Sequence, residues 1–208
     1  SNKAHQLMAQ GARHVIDDVA TLALLAAPAR MEIVDALEAS TGALSVAALA
    51  ARLGRPADGL YYHLRQLVAA GLVREQADAG GRTYRIATLR GKGLRLRYQP
   101  GATPNARAVA RTVASLLRVA QKDFAAALAD PASVVEGPRR ELWAGRLTGW
   151  VTPRELAELN ALLARASELL RGSQGKRGSR LVALSWVLAP LADATGAAAP
   201  PRRLRRTR

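Results

Sequence analysis

The chain has 208 residues, with 31 Lys and Arg against 16 Asp and Glu, a formal net charge of +15, and 49% of its residues are hydrophobic. That apolar share supports a folded core and excludes wholesale disorder, and the length fits one large domain or two small ones. The absence of cysteine excludes disulfides, thiolate metal sites and cysteine nucleophiles, and no uninterrupted apolar run reaches the roughly 18 residues that a membrane span needs.

In chain order, Ala12 to Ala26 predicts a helix, with Val15, Val19, Leu22 and Leu25 at three-to-four spacing. Pro28 suits a first helical position, and Met31, Ile33, Val34 and Leu37 continue an apolar side until Ser40-Thr41-Gly42. Ser45 is the expected N-cap of a short helix carrying Val46, Leu49 and Leu53, which Gly54 ends in a left-handed C′ position. After a tight turn at Arg55-Pro56, a helix over about Pro56 to Ala70 turns Leu60, Leu64, Leu67 and Val68 inward, and Gly71 closes it. Residues 72–76 and 82–87 predict two strands joined by a turn at Asp78-Ala79-Gly80-Gly81. Helices, a short turn, a helix and a hairpin follow one another in the order of a winged helix-turn-helix.

A junction rich in Gly and Pro follows, at Gly91-Lys92-Gly93 and Gln99-Pro100-Gly101. From Asn105 to Ala129 a long helix is expected to bury Val109, Val113, Leu116, Ala120, Phe124 and Leu128. Glu141 to Val151 has the pattern of a strand, and Thr152-Pro153-Arg154-Glu155 is a capping box opening a helix to Arg171. Arg180 to Leu188 has the composition of a last strand, or of a short buried helix, stopped by Pro190. The expected fold class is therefore α+β, mainly helical. A winged helix-turn-helix domain over 12–98 is followed by an α+β domain over 105–190, a candidate for dimerisation or effector binding, and a basic, disordered tail over 195–208.

The charge is spread evenly: residues 1–100 and 101–200 each carry 13 basic and 8 acidic side chains, and Pro201 to Arg208 adds five Arg. Arg82, Arg85, Arg90, Lys92, Arg95 and Arg97 form a stretch without an acid. Such a field favours a polyanion, a nucleic acid or an anionic membrane surface. The helix 56–70 leaves Asp58, Gly59, Tyr61, Tyr62, Arg65 and Gln66 outward or at its edges, side chains of a size that reaches base edges in a major groove. Ser45 and Arg55 are placed to reach the DNA backbone from the same side, and Arg82, Thr83 and Arg85 suit an adjacent phosphate or minor groove.

The segment Leu49-Ala50-Ala51-Arg52-Leu53-Gly54, then Leu60-Tyr61-Tyr62-His63-Leu64-Arg65-Gln66-Leu67, then Ala70-Gly71-Leu72-Val73 and a Gly81-to-Tyr84 wing, resembles the ArsR-like winged helix-turn-helix repressors. The likeness is strong over about 40 residues and reaches about 80 with the flanking helices. It implies double-stranded DNA as partner and a homodimer reading two half-sites, with the helices 105–129 and 153–171 as candidate interfaces. His63 falls where the family carries a histidine, and packing beside the DNA is the role this implies. The C-terminal half is similar to accessory regions of some members.

Three alternatives are weighed. Phe124, Trp143, Trp150 and Trp186 form either a candidate effector pocket for a small molecule or a core and dimer contact, the latter favoured by their periodicity. His14, Asp17 and Asp18 have a ligand-compatible spacing on the first predicted helix, yet a solvated polar face explains them better, so no metal and no cofactor is expected. No Ser/His/acid set or apolar carboxylate pair is traceable, and Gly172-Ser173-Gln174-Gly175-Lys176 has the wrong spacing for a phosphate loop, so no enzyme is expected. The N-terminal residues lack the basic-then-apolar order of a secretory signal, and the expected compartment is the cytoplasm, without a membrane partner. The resulting expectation is a sequence-specific transcriptional regulator, a homodimeric repressor answering to a non-metal signal. Its rivals are a basic nucleic-acid-associated protein that reads no sequence and a winged helix reused to bind proteins.

Overall fold

A computed structural model describes residues 14–78, 80–87, 94–172 and 179–191. The elements in order are β1 (His14–Ile16), α1 (Val19–Leu25), α2 (Pro28–Glu38), β2 (Leu44–Ser45), α3 (Val46–Leu53), α4 (Ala57–Ala69), β3 (Val73–Asp78), β4 (Gly81–Ile86), β5 (Leu94–Leu96), α5 (Pro104–Ala129) and α6 (Pro153–Gly172). The class is α+β and mainly helical, as expected, with the helix-turn-helix in its N-terminal part. The basic tail, Gly91-Lys92-Gly93, Arg90 and most of the polar loop after Gly172 lie outside the described residues.

Local chemistry sets most boundaries. The Ser45 hydroxyl accepts from Ala48 N at 3.1 Å and starts α3. Gly54, at φ 59° and ψ 37°, ends α3 in the left-handed region, where a Cβ would be strained. Arg52 then reaches back to the Ala36 carbonyl at 2.9 Å and ties α3 to the end of α2. At α6 the Thr152 N–H donates to Glu155 Oε2 at 2.7 Å while Glu155 N–H donates to the Thr152 hydroxyl at 3.3 Å, the reciprocal pair of a capping box.

One core serves the N-terminal elements. Leu22, Ile33, Leu49, Leu60, Leu64 and Leu67 are essentially inaccessible and pack with Leu72, Val73 and Tyr84 from the sheet. The sheet has the order β2-β4-β3, antiparallel throughout, with Leu44 opposite Tyr84 and Val73 opposite Ile86. The short β2 went unread in the sequence because two residues carry no period.

Four expectations are corrected. The first predicted helix does not begin at Ala12: 14–16 is a strand, paired in parallel with 94–96, and the helix begins at Val19. Asp18 sets that start by accepting from Thr21 N at 2.7 Å, a cap that overrides the helical spacing of Val15 and Val19. Second, residues 94–96, placed in a junction, form the partner strand β5. Third, the buried stripe of α5 is Asn105, Ala108, Thr112, Ser115 and Val119, one step round from the predicted one. Small and hydroxyl side chains let α5 approach α1 closely, and the Thr112 hydroxyl donates to the Leu22 carbonyl at 2.8 Å. The predicted stripe is half-buried as far as Phe124 and exposed at Leu128. Fourth, residues 141–151 and 180–188 are not in strands: neither has a ladder partner among the described residues.

Asn105 fastens α5 to the domain before it. Its side chain accepts from Gln99 N at 3.0 Å and donates to the carbonyls of Arg97 at 3.3 Å and Asp17 at 3.4 Å. No described helix is long and apolar enough to cross a membrane.

Candidate nucleic-acid interface

Helix α4 has two faces. Leu60, Leu64 and Leu67 point into the core, while Asp58, Gly59, Tyr61, Tyr62 and Arg65 are exposed on the other side. The exposed set recurs at three-to-four spacing, so these side chains share one face. Two exposed tyrosines and an exposed arginine on the outer face of a 13-residue helix give a polar surface able to lie in a groove.

His63 and Gln66 sit at the edge of that face, toward α2. The Arg30 guanidinium donates to Gln66 Oε1 and to the Leu24 carbonyl, and Gln66 Nε2 donates to the Tyr62 hydroxyl at 2.7 Å. Arg30, Gln66 and Tyr62 thus form a ladder along one edge of α4. Arg30 was not singled out in the sequence: its contact spans 36 residues, and no local pattern signals it. His63 stacks edge-on against Tyr62, with ring centroids 5.4 Å apart, and its Nδ1 is buried without a partner among the described residues. Burial, then the positive charges of Arg30 and Arg55, hold its pKa below the ordinary histidine value.

Arg55, in the turn between α3 and α4, is ion-paired with Glu32 at 2.6 Å. The same carboxylate receives Lys122 of α5 at 2.7 Å. Burial pushes the Glu32 pKa up, and the hydrogen bonds and charges of Lys122 and Arg55 outweigh it, so the group stays below its ordinary value. Neither Glu32 nor Lys122 was singled out in the sequence, since 90 residues separate them.

The strand register splits the wing arginines between two faces. Thr83 and Arg85 lie on one face with Gln76 and Arg74, while Arg82 lies on the other with Tyr84 and is ion-paired to Glu75 at 3.2 Å. Arg74 stands directly opposite Arg85, and neither has an acidic partner among the described residues. Like charges in that position repel unless an anion comes between them. Ser45 is spent as a cap at the edge of the sheet.

The remaining predicted residues are in other surroundings. Trp143, Trp150 and Trp186 are exposed and Phe124 is half-buried, so in one chain they enclose no cavity. The Arg140 guanidinium lies 3.9 Å from the ring centroid of Trp143. Of the acidic residues weighed as ligands, Asp17 pairs with Arg97 at 3.1 Å and Asp18 caps α1; the His14 side chain lies outside the described residues.

Neither curated proteins nor solved structures offer a match to the chain. A family model described as a helix-turn-helix domain matches residues 25–76, from the last residue of α1 into β3, which takes in the whole of α2, α3 and α4. Over those residues the chain carries a helix-turn-helix domain, a module that binds DNA.

Proposed function

We propose that the protein is a sequence-specific transcriptional regulator of the ArsR-like kind, a homodimeric repressor that works in the cytoplasm and answers to a non-metal signal. The single observation that carries this reading is the exposed face of α4, where Asp58, Gly59, Tyr61, Tyr62 and Arg65 stand clear of the core. On this reading α4 enters the major groove, with Arg65 and Gln66 at base edges. Ser45, Arg55 and the turn before α4 approach phosphates, and His63 packs beside them. Thr83 and Arg85, with Arg74, take a flanking phosphate, which relieves the repulsion between the two arginines; Arg82 contributes from the wing's other face. Two chains place their helices in half-sites about 34 Å apart or a multiple of that. Phe124, Trp143, Trp150 and Trp186 become a pocket for a small molecule, or a dimer core, when a second surface closes over them.

Footprinting on genomic fragments in the presence of random competitor DNA tests the reading. A protected two-fold site is expected, with affinity falling on a log–log salt plot by about 0.9 per neutralised phosphate. Binding without any protected site at any salt would assign the protein to the class that reads charge alone. Failure to bind DNA would leave the winged helix as a protein-binding module.

A further inference from the structure

We infer that two copies of the chain join through the segments 142–151 and 180–191, which carry no helix or strand in the single chain and pair with a partner copy. The inference deepens the homodimer reading above by naming its surface. Neither segment is in a helix or a strand, and among the described residues no backbone–backbone hydrogen bond involves either. The ion pair between Arg180 and Glu141, at 3.1 Å, brings the starts of the two segments together.

The second segment is apolar apart from Ser185 and its Arg180 start, and the first carries a single charge, Arg146. From Leu181 to Leu191 there is no charged residue. Seven large hydrophobic side chains in that run are exposed, Trp186 at 42% being the least so. In the first segment Trp143 is 72% exposed and Leu147 98%. With Trp150, these ten side chains present on the order of 1,000 Å² of apolar surface, from about 150–250 Å² for a whole aromatic and somewhat less for an aliphatic. A soluble monomer's largest apolar patch is about 300–600 Å², whereas each partner in a standard interface gives about 800 Å². The summed area therefore meets what each partner of a stable dimer gives.

A second copy is the occupant that fits. Backbone groups without a partner among the described residues can be met by the same groups of a second copy, and the uncharged run 181–191 offers no complement to a charged partner. Across a two-fold axis the same segment supplies both sides of an isologous contact, so one sequence suffices.

All three tryptophans lie in these two segments, so their fluorescence reports on the surface directly. Sedimentation and tryptophan emission are measured together on the full chain from about 0.1 to about 50 µM. Twice 22.1 kDa with a blue-shifted emission is expected at the high end. V187P, which removes a strand N–H, and W186E are each expected to halve the mass and shift emission to the red. The far-UV helical signal should be kept. Dilution of the unaltered chain supplies the same reading without a substitution: mass and emission must fall together.

A single-chain mass at the highest concentration overturns the inference, as does a two-chain mass unaffected by both substitutions. A single chain whose emission shifts blue only on phosphatidylcholine/phosphatidylglycerol vesicles overturns it in favour of a lipid surface. A two-chain mass lost in the variants, combined with no DNA retardation, upholds the interface and sinks the regulator reading alone.

Discussion

Glu32 of α2 holds Lys122 of α5 at 2.7 Å with one carboxylate oxygen and Arg55, in the turn before α4, at 2.6 Å with the other. One buried group thus links the long helix leading to the C-terminal half with the turn that starts α4. Removing the carboxylate by E32Q is expected to cost about 1–3 kcal/mol in urea unfolding at neutral pH. The figure stays below that of a fully buried pair because Arg55 and Lys122 are 36% and 57% exposed and regain water. The folded pKa of Glu32 lies below its unfolded value, so its contribution is whole above about pH 4.5 and is lost as pH falls through the folded value. The gap between wild type and E32Q should therefore close in acid; a constant gap would show that the charge is not the cause. K122A should cost less than E32Q, since it leaves Arg55 in place.

Arg65 and Gln66 adjoin on α4 but differ in what holds them. Arg65 is exposed, with no hydrogen bond or ion pair of its side chain among the described residues, while Gln66 is fixed by Arg30 and Tyr62. R65A should change stability by less than about 0.5 kcal/mol and weaken binding to a selected site by about 10-fold or more, from about 1–3 kcal/mol per base contact. R30A should weaken site discrimination as Q66A does, because both release the same amide. Titration of specific and random duplexes with each variant decides: equal losses on both duplexes would remove base reading from these residues.

Ser115 is fully buried against the helical core with its hydroxyl unpaired among the described residues. An unpaired buried hydroxyl carries an uncompensated desolvation cost. S115A is expected to stabilise the chain by about 1 kcal/mol, seen as a higher melting temperature in calorimetry. A loss of stability would mean that the hydroxyl has a partner in the assembled protein.

The sequence exposed those features whose causes lie within a few residues. Ser45 to Ala48, Gly54 and Thr152 to Glu155 are local hydrogen-bonding and backbone effects, and the helix boundaries they set were readable. The face of α4 was readable too, because Leu60, Leu64 and Leu67 fix which side is buried. What escaped depends on distant partners. β1 exists because residues 94–96 lie beside it, 80 residues away. The stripe of α5 that packs was decided by close approach to α1, which favours Ala108 and Ser115 over the bulkier Val109 and Leu116. Arg30 and Arg74 became visible only once Gln66 and Arg85 were seen opposite them.

His63 gives the domain a pH response in a different range from that of Glu32. Its ring is half-buried between Arg30 and Arg55, and burial and those two charges lower its pKa. The acid Glu32 is already held by Arg55 and Lys122. A histidine with a depressed folded pKa contributes stability that is whole above its unfolded value of about 6.5 and is lost as pH falls toward the folded value. Relative to H63Q, the wild-type urea midpoint should therefore drop between about pH 7.5 and about pH 5.5, with the Glu32 transition left in place. The comparison cancels Asp35, whose carboxyl is pushed up to about 7 by burial and which gains stability over the same range as pH falls. A difference between the wild type and H63Q that does not change with pH would show that the imidazolium is accommodated beside the two arginines.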